Sequence, residues 1–172
     1  MRCLAGTLLA LSLCFGASRQ VELPSGGSIR FFVRNAQTVF EIHLPGAQPE
    51  RLAVNRDATV ADFSPPSSVT IVGERKGVAI VLVDTYPSVP VGMSYCQAGK
   101  EKFLRIIAIA QSPPRETVKV KLESCRQNIE LASAGLQWLP NPSTIRINWL
   151  RGPSQLEEAR EILIGPNGEP AK

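Results

Sequence analysis

Residues 78–83 read Val-Ala-Ile-Val-Leu-Val, six apolar side chains in succession. Successive side chains of an extended strand point to opposite faces of a sheet, so a strand without a polar position must be covered on both faces. The preceding residues 73–77 are a charged segment bounded by two glycines, which is typical of an exposed hairpin turn. The run therefore predicts a central strand, buried on both sides.

A second hairpin is predicted further along the chain. Residues 103–110 are apolar except for Arg105, and residues 116–124 alternate between apolar and polar side chains. The segment 112–115, which contains two prolines, separates the two runs. We expect the first strand to be largely buried and the second to have one solvated face.

Short apolar runs separated by turn residues continue through the rest of the chain, and no helical periodicity alternates with them. Further candidate strands are residues 28–34, 40–44, 52–54, 59–62, 69–72, 129–132, 136–139, 144–150 and 160–164. The segment Ser154–Glu157 has the form of a capping box, which predicts one helical turn before the last strand.

These patterns predict the fold class and the domain organisation. A chain of 172 residues with 44% hydrophobic and 20% charged side chains is typical of one globular domain. About ten short strands without crossover helices predict an all-β domain over residues 19–164, an antiparallel β-sandwich or barrel with at most one short helix. Residues 165–172 are rich in Gly, Pro and polar side chains, so a flexible polar tail is expected.

The first 18 residues have the composition of a secretory signal peptide. Arg2 precedes the apolar residues 3–15, and the small residues 16–18 follow. The apolar run is shorter than the ~20 residues of a membrane-spanning helix, so no transmembrane segment is expected after leader removal. A lipoprotein attached through Cys14 is the alternative, disfavoured because Leu13 stands where such signals carry a small residue. We expect an exported protein, periplasmic or extracellular.

The leader determines how the four cysteines are interpreted. Its removal takes away Cys3 and Cys14 and leaves Cys96 and Cys125. Two cysteines in an oxidising compartment form a disulfide by default. The register expected for the second hairpin places Lys102 opposite Cys125, so the disulfide should clamp the open end of that hairpin.

Few residues support catalysis, and no cofactor is expected. His43 is the only histidine and lies in an alternating strand opposite the apolar side chains, where an exposed structural residue is the expected role. The sequence contains no nucleophile elbow, phosphate-binding loop or dinucleotide fingerprint. Asp57 and Asp62 are the nearest approach to a calcium site and are more typical of a turn. A net charge of +4, scattered along the chain, gives little support to nucleic-acid binding.

The aromatic residues suggest one candidate binding region. Tyr86 and Tyr95 bracket a long, partly apolar loop, and loops held by a rigid scaffold commonly carry recognition. The alternative is a loop that only covers a sheet edge. Trp138 and Trp149 are expected in the core, since Ile145 shares a face with Trp149.

The functional hypothesis is an exported, non-enzymatic binding protein that recognises a protein or a cell-envelope component. The chain resembles small periplasmic proteins in its predicted leader, its size, its single predicted disulfide and its strand content. Those proteins include inhibitors and immunity proteins directed against cell-wall hydrolases. Two alternatives stay open. One is a hydrolase that uses two buried carboxylates facing one cleft, and the other is a structural subunit of an envelope assembly joined by strand addition.

Overall fold

A computed structural model describes residues 19–55, 57–61, 64–90 and 95–171, without the side chains of Tyr95 and Gln97. The predicted leader lies outside these residues. The described residues form eleven strands, which confirms the all-β class. The strands are β1 (Arg19–Glu22), β2 (Ser28–Arg34), β3 (Gln37–His43), β4 (Glu50–Val54), β5 (Ser68–Arg75), β6 (Ala79–Pro87), β7 (Lys100–Ala108), β8 (Arg115–Ser124), β9 (Glu130–Pro140), β10 (Ser143–Arg151) and β11 (Glu158–Leu163). A short 3-10 helix spans Tyr95–Ala98.

The strands form three antiparallel sheets, each built from strands that are consecutive in the sequence: β1 to β4, β5 to β8, and β9 to β11. The β5–β8 sheet is central. In β6, Ala79 and Val81 pack against the β9–β11 sheet, whereas Ile80 and Leu82 pack against the β1–β4 sheet. All four side chains are buried. The predicted double burial of residues 78–83 is therefore confirmed for β6, and the result is a layered, sandwich-like fold.

Two apolar cores fill the spaces between the three sheets. The core beside the β1–β4 sheet contains Leu23, Ile29, Phe31, Phe40, Ile42, Val54, Val69, Ile80, Leu82 and Ile107. The core beside the β9–β11 sheet contains Ala79, Val81, Leu104, Ile106, Val118, Val120, Leu122, Ile129, Ile145, Ile147, Trp149, Ile162 and Ile164.

Both tryptophans belong to the second core, as expected. The indole N–H of Trp149 donates a hydrogen bond to the Leu122 carbonyl at 3.0 Å. Trp138 is half-buried and packs on the same core. Its ring lies so close to Gly73 that a Cβ atom there would come within 2.4 Å of it. A glycine at the irregularity in β5 therefore allows β9 to cross the central sheet at this point.

The antiparallel order brings every second connection to the same end of the molecule. The connections after β2, β4, β6, β8 and β10 lie at one end, here called the disulfide end, and the alternate connections lie at the far end. This arrangement follows from sequential antiparallel pairing and requires no crossover helix.

The register predicted for β7 and β8 is wrong by two residues at Lys102 and by four at Ala108. Lys102 pairs with Glu123, and the Cys125 N–H instead donates to the Lys100 carbonyl at 3.3 Å. The connection between these strands spans residues 109–114, and the ladder shifts at two irregularities. The alternation of apolar and polar residues shows neither the length of a turn nor the position of a bulge, so it could not give the register.

The helical turn predicted for Ser154–Glu157 is also wrong. These residues belong to the hairpin loop between β10 and β11, closed by a hydrogen bond of 2.8 Å from the Gly152 N–H to the Leu156 carbonyl. Gln155 has a φ of 67° in the left-handed region, which a right-handed helix does not contain. The Ser154 hydroxyl donates to the Glu158 side chain and does not cap a backbone N–H.

The boundaries of three other predicted strands also differ from those in the structure. The runs 129–132 and 136–139 join in the single strand β9, with an irregular ladder between Leu131 and Leu136. In the candidate strand 59–62, Val60 forms an isolated bridge with Ser88, and Asp62 lies outside the described residues.

The segment 165–171 has defined partners where composition indicated a flexible tail. The Gly165 N–H donates to the Glu169 carbonyl at 2.7 Å, and the Ala171 N–H donates to the Leu163 carbonyl at 2.8 Å. The Thr117 hydroxyl donates to the Gly168 carbonyl at 2.8 Å. The segment therefore folds back onto the far end of the molecule. In the part of the chain that the structure describes, no helix is long and apolar enough to span a membrane.

Candidate functional site

The disulfide is the first of several links that hold the connections at the disulfide end. Cys96 and Cys125 are joined with an S–S distance of 2.08 Å and a Cα–Cα distance of 5.7 Å. The bond connects the 3-10 helix after β6 to the residue that follows β8. Gly99 packs against it so closely that a Cβ atom would lie 2.7 Å from the Cys125 Cβ. The connection between β6 and β7 is thus fixed against the end of β8.

A buried carboxylate reinforces this attachment. Glu101, the second residue of β7, is fully buried. Its Oε1 accepts hydrogen bonds from the Ser88 hydroxyl at 2.7 Å and from the Arg126 backbone N–H at 3.3 Å. One carboxylate oxygen therefore holds the start of the β6–β7 connection and the β8–β9 turn together.

Lys121 on β8 joins two connections. Its ammonium group donates to Asp57 Oδ1 at 2.9 Å, to Thr59 Oγ1 at 3.0 Å and to Gln127 Oε1 at 2.8 Å. Burial raises the pKa of Asp57, but hydrogen bonds from Thr59 and Lys121 outweigh it and lower that pKa to about 2. The ion pair attaches the β4–β5 connection to β8, and Gln127 extends the link to the β8–β9 turn.

Two further contacts complete the arrangement. The Gln155 side-chain amide donates to the Gln127 carbonyl at 2.9 Å, which links the β10–β11 loop to the β8–β9 turn. The Val89 N–H donates to the Thr59 carbonyl at 2.8 Å, which links the β6–β7 connection to the β4–β5 connection.

We call the surface formed by these linked connections the loop surface. It consists of residues 57–61, 88–90, 98–100, 125–128 and 152–157, and it spans all three sheets.

The loop surface presents both charged and apolar side chains. Lys100 and Arg126 are exposed, and neither forms an ion pair with a described residue. Leu156 is 69% exposed on a loop with fixed backbone hydrogen bonds. Among the described residues, the loop surface therefore exposes two cations without an ion-pair partner and one leucine, on a backbone held by hydrogen bonds.

The two tyrosines of the predicted binding loop have different positions. Tyr86 is only 2% exposed. Its hydroxyl donates to Asp84 Oδ2 at 2.6 Å and lies 3.3 Å from Thr38 Oγ1, so its ring belongs to the interior. The side chain of Tyr95 and residues 91–94 lie outside the described residues. The recognition role of this connection stays a prediction.

A buried charge network lies on strands β6, β7 and β8 of the central sheet. Arg105 is 1% exposed, and its Nε donates to Asp84 Oδ2 at 2.7 Å while Nη1 donates to Glu116 Oε1 at 2.5 Å. Burial raises the pKa of Asp84, and the positive charge of Arg105 opposes this rise. Asp84 and Glu116 in turn raise the pKa of Arg105 against the effect of burial, so the guanidinium stays charged. These groups neutralise one another inside the fold.

Little of this site is visible in the amino-acid sequence. The interruption of an apolar strand by Arg105 was the visible signal, because a buried arginine requires a buried acidic partner. Asp84, Glu101 and Lys121 were not distinguished from ordinary strand-end or solvated charges, since strand alternation alone does not show which connection packs over them. Gln127 carries no sequence signal at all.

The remaining candidate residues that the structure describes, His43 and Asp57, make local contacts. His43 lies on the outer face of the β1–β4 sheet, where its Nε2 is 3.1 Å from Glu41 Oε1. Asp57 forms an ion pair with Lys121 and accepts a hydrogen bond from the Thr59 N–H at 3.0 Å, the local contact of a turn aspartate. In the described parts of the chain, no group of three or more His, Cys, Asp or Glu side chains is arranged to hold a metal ion.

Comparisons with known proteins identify no relative. No protein-family model matches the chain. No match was found among curated proteins or among solved structures.

Proposed function

We propose that this chain is an exported, non-enzymatic binding protein that recognises a protein or cell-envelope component through the loop surface. The observation that carries the proposal is the linkage of four connections, from all three sheets, by a disulfide, by hydrogen bonds that Glu101 accepts and by hydrogen bonds that Lys121 and Gln155 donate. The disulfide and the signal-like sequence at residues 1–18 support export.

The linked connections are held in place before any partner arrives, and this preorganisation favours binding. Ordering a flexible loop during association costs free energy, whereas a loop already held in place avoids most of that cost. Scaffolds that present recognition loops at one end of a β-sandwich use the same principle. An inhibitor-like or immunity-like role is the form we favour, because a supported surface can block a partner's cleft without any chemistry of its own.

Both alternatives have less support. Asp84 and Glu101 are buried carboxylates, as a carboxylate-dependent hydrolase requires, but they accept hydrogen bonds from Arg105 and Ser88 that serve the fold. For an assembly subunit joined by strand addition, the edge strands of the three sheets are the relevant surfaces, and β11 is one of them. Its Leu163 carbonyl already accepts a hydrogen bond from Ala171 of the same chain.

A capture experiment with matched variants tests the proposal. The immobilised mature protein is incubated with solubilised envelope extract, in parallel with the variant R126E/L156S and with K76E. Lys76 is exposed in the β5–β6 turn at the far end, so K76E controls for a general effect of charge. We expect one partner retained by the wild type and K76E and lost by R126E/L156S. No specific partner, or equal retention by all three proteins, would overturn the proposal.

A further inference from the structure

β9 is an edge strand that differs from the other sheet edges in charge. Among the described residues, the edge strands of the three sheets are β1, β4, β5, β8, β9 and β11. Residues 131–140 of β9 contain no charged side chain, whereas each of the other edge strands carries two or more. Charged side chains on an edge strand discourage pairing with a foreign strand. The edge of β9 lacks this protection.

The main-chain groups at the free edge of β9 belong to Leu136 and Trp138. The Ser143 carbonyl accepts a hydrogen bond from the first residue after β11. The main-chain groups of the next residue, Thr144, therefore point the other way, toward its partner Leu139 in β9. Because this direction alternates along a strand, Leu136 and Trp138 direct their N–H and C=O groups to the free edge.

The free edge of β9 lies beside a part of the central sheet that the β9–β11 sheet leaves uncovered. β9 begins next to the end of β8 and crosses to β5, where Trp138 lies on Gly73. The segment after β11 packs on the far-end part of β7 and β8, so β10 and β11 cover the far-end side of this line. On the other side, Thr70 is exposed and its ladder partner Val83 is half-buried.

Half-buried apolar side chains show where the core beside the β9–β11 sheet is open. Those packed on this core are Val72, Val78, Val83, Leu131, Leu136 and Trp138. All except Val78, which lies in the β5–β6 turn, belong to β5, β6 or β9. A cleft of about 370 Å³ continues the opening toward the disulfide end, between Lys100 and Glu123 on one side and residues 128–130 on the other.

We call the free edge of β9, together with Thr70, Val83 and this cleft, the edge groove. We propose that the edge groove binds an extended segment of a partner protein, which adds to β9 as a further strand. Leu136 and Trp138 bind its main chain, and apolar side chains at every second position pack on Val83 and complete the open core.

The uncovered part of the central sheet favours a single strand over a second copy of this chain. Two copies that paired through their β9 strands would be related by a two-fold axis between those strands. The central sheet of each copy continues beneath the free edge, so the two central sheets would occupy the same space. The edge groove is also separate from Arg126 and Leu156 of the loop surface, so either proposal can fail without the other.

A peptide that copies β10 tests the proposal, because β10 already pairs with β9 and alternates Ile145 and Ile147 with polar residues. Binding of fluorescein-labelled Ser143–Arg151 to the folded protein is followed by fluorescence anisotropy. We expect about tenfold tighter binding than for a peptide of the same residues in an order without alternation. R126E/L156S, which alters only the loop surface, should bind the peptide as the wild type does.

Two matched variants locate the binding site. T70E places a charge beneath the apolar side chains of the added strand and should weaken binding about tenfold. A53E adds the same charge at an exposed position of β4 and should have no effect. Both positions are exposed, so the urea midpoints should stay close to that of the wild type. Equal weakening by both variants, or no preference for the alternating peptide, would overturn the proposal.

Amide hydrogen exchange, observed by NMR, identifies the mode of binding. Saturating β10 peptide should slow exchange at Leu136 and Trp138 about tenfold or more and leave Gln137 and Leu139 unchanged, since their N–H groups already point to β10. Unchanged exchange at Leu136 and Trp138 would contradict strand addition. Protection of these two amides that rises with protein concentration, without peptide, would assign the edge to a second copy and also refute the proposal.

Discussion

At the scale of single residues, the structure places ionised groups where an apolar interior would normally be found. Asp84 and Arg105 lie on adjacent strands of the central sheet, and both are almost completely buried. Such a pair is a weak source of stability relative to apolar side chains, but removing one partner leaves an uncompensated charge. The network therefore makes the fold sensitive to single substitutions.

Replacement of Arg105 by methionine is expected to destabilise the protein by about 3–5 kcal/mol, because Asp84 would be left as an unpaired buried carboxylate. Urea unfolding followed by circular dichroism measures the change. The double variant D84N/R105M should recover part of the loss, since the carboxylate at position 84 that R105M leaves without its cation is then removed as well. R115M is the surface control, because the ion pair of Arg115 with Glu169 is about half-exposed and should contribute no more than about 1 kcal/mol. A mild effect of R105M alone would contradict this account of the network.

The ion pair of Asp57 predicts a dependence of stability on pH. Because its pKa falls from 3.8 to about 2 in the folded chain, its stabilising contribution is complete above pH 3.8 and is lost as the pH falls through 2. D57N should therefore lower the free energy of unfolding by about 1 kcal/mol at pH 7, after allowance for solvent screening. Below pH 2 the two proteins should have equal stability in parallel denaturation experiments. A difference that persists at low pH would assign the effect to the amide substitution instead.

At the scale of the elements, the disulfide joins Cys96, in the 3-10 helix after β6, to Cys125, directly after β8, across a sequence separation of 29 residues. The chain-entropy treatment of such a loop gives about 3.5 kcal/mol of stabilisation. C96S/C125S should lose roughly that amount in urea unfolding, and the wild type under reducing conditions should show a similar loss. Oxidised protein produced without residues 1–18, and therefore without Cys3 and Cys14, should contain no thiol that reacts under denaturing, non-reducing conditions. Detection of two reactive thiols would contradict the bond.

Sequence patterns predicted the elements well where burial alone determines alternation. The run at residues 78–83 indicated β6, and the alternation in residues 28–34 matched β2 in full. Prediction failed where long-range contacts override local pattern. The capping-box sequence at Ser154 forms a hairpin loop, because pairing of Trp149 with Glu158 places residues 152–157 in the connection between β10 and β11. The partners of Glu101 and Lys121 depend on four connections meeting at one end, and no local pattern contains that information.

At the scale of the whole molecule, the central sheet is shared by the two cores, so neither core can form without it. Sequence could predict many strands in one domain, but not their division into three sheets, since that depends on which faces pack together. Sharing of one sheet predicts that the domain unfolds cooperatively, as small single domains usually do.

A variant in one core, observed by probes in the other, tests this cooperativity. Leu82 lies in the core beside the β1–β4 sheet, and both tryptophans belong to the core beside the β9–β11 sheet. L82A should destabilise by about 2–5 kcal/mol and shift tryptophan fluorescence and far-ultraviolet circular dichroism to the same new midpoint. L163A, at a partly exposed position, should shift neither appreciably. A fluorescence midpoint that L82A leaves unchanged would show that the two layers unfold separately.

The folded-back C-terminal segment has a practical consequence for studies of binding. The Glu169 carboxylate contacts Arg115, which begins β8 at the far end, so Ala171 ends on the side opposite the loop surface. Arg19 is instead at the disulfide end, where its guanidinium contacts the Ser67 carbonyl. Immobilisation through a tag placed after Lys172 therefore leaves the loop surface facing solvent. Immobilisation through residues just before Arg19 would place the sensor surface beside the loop surface.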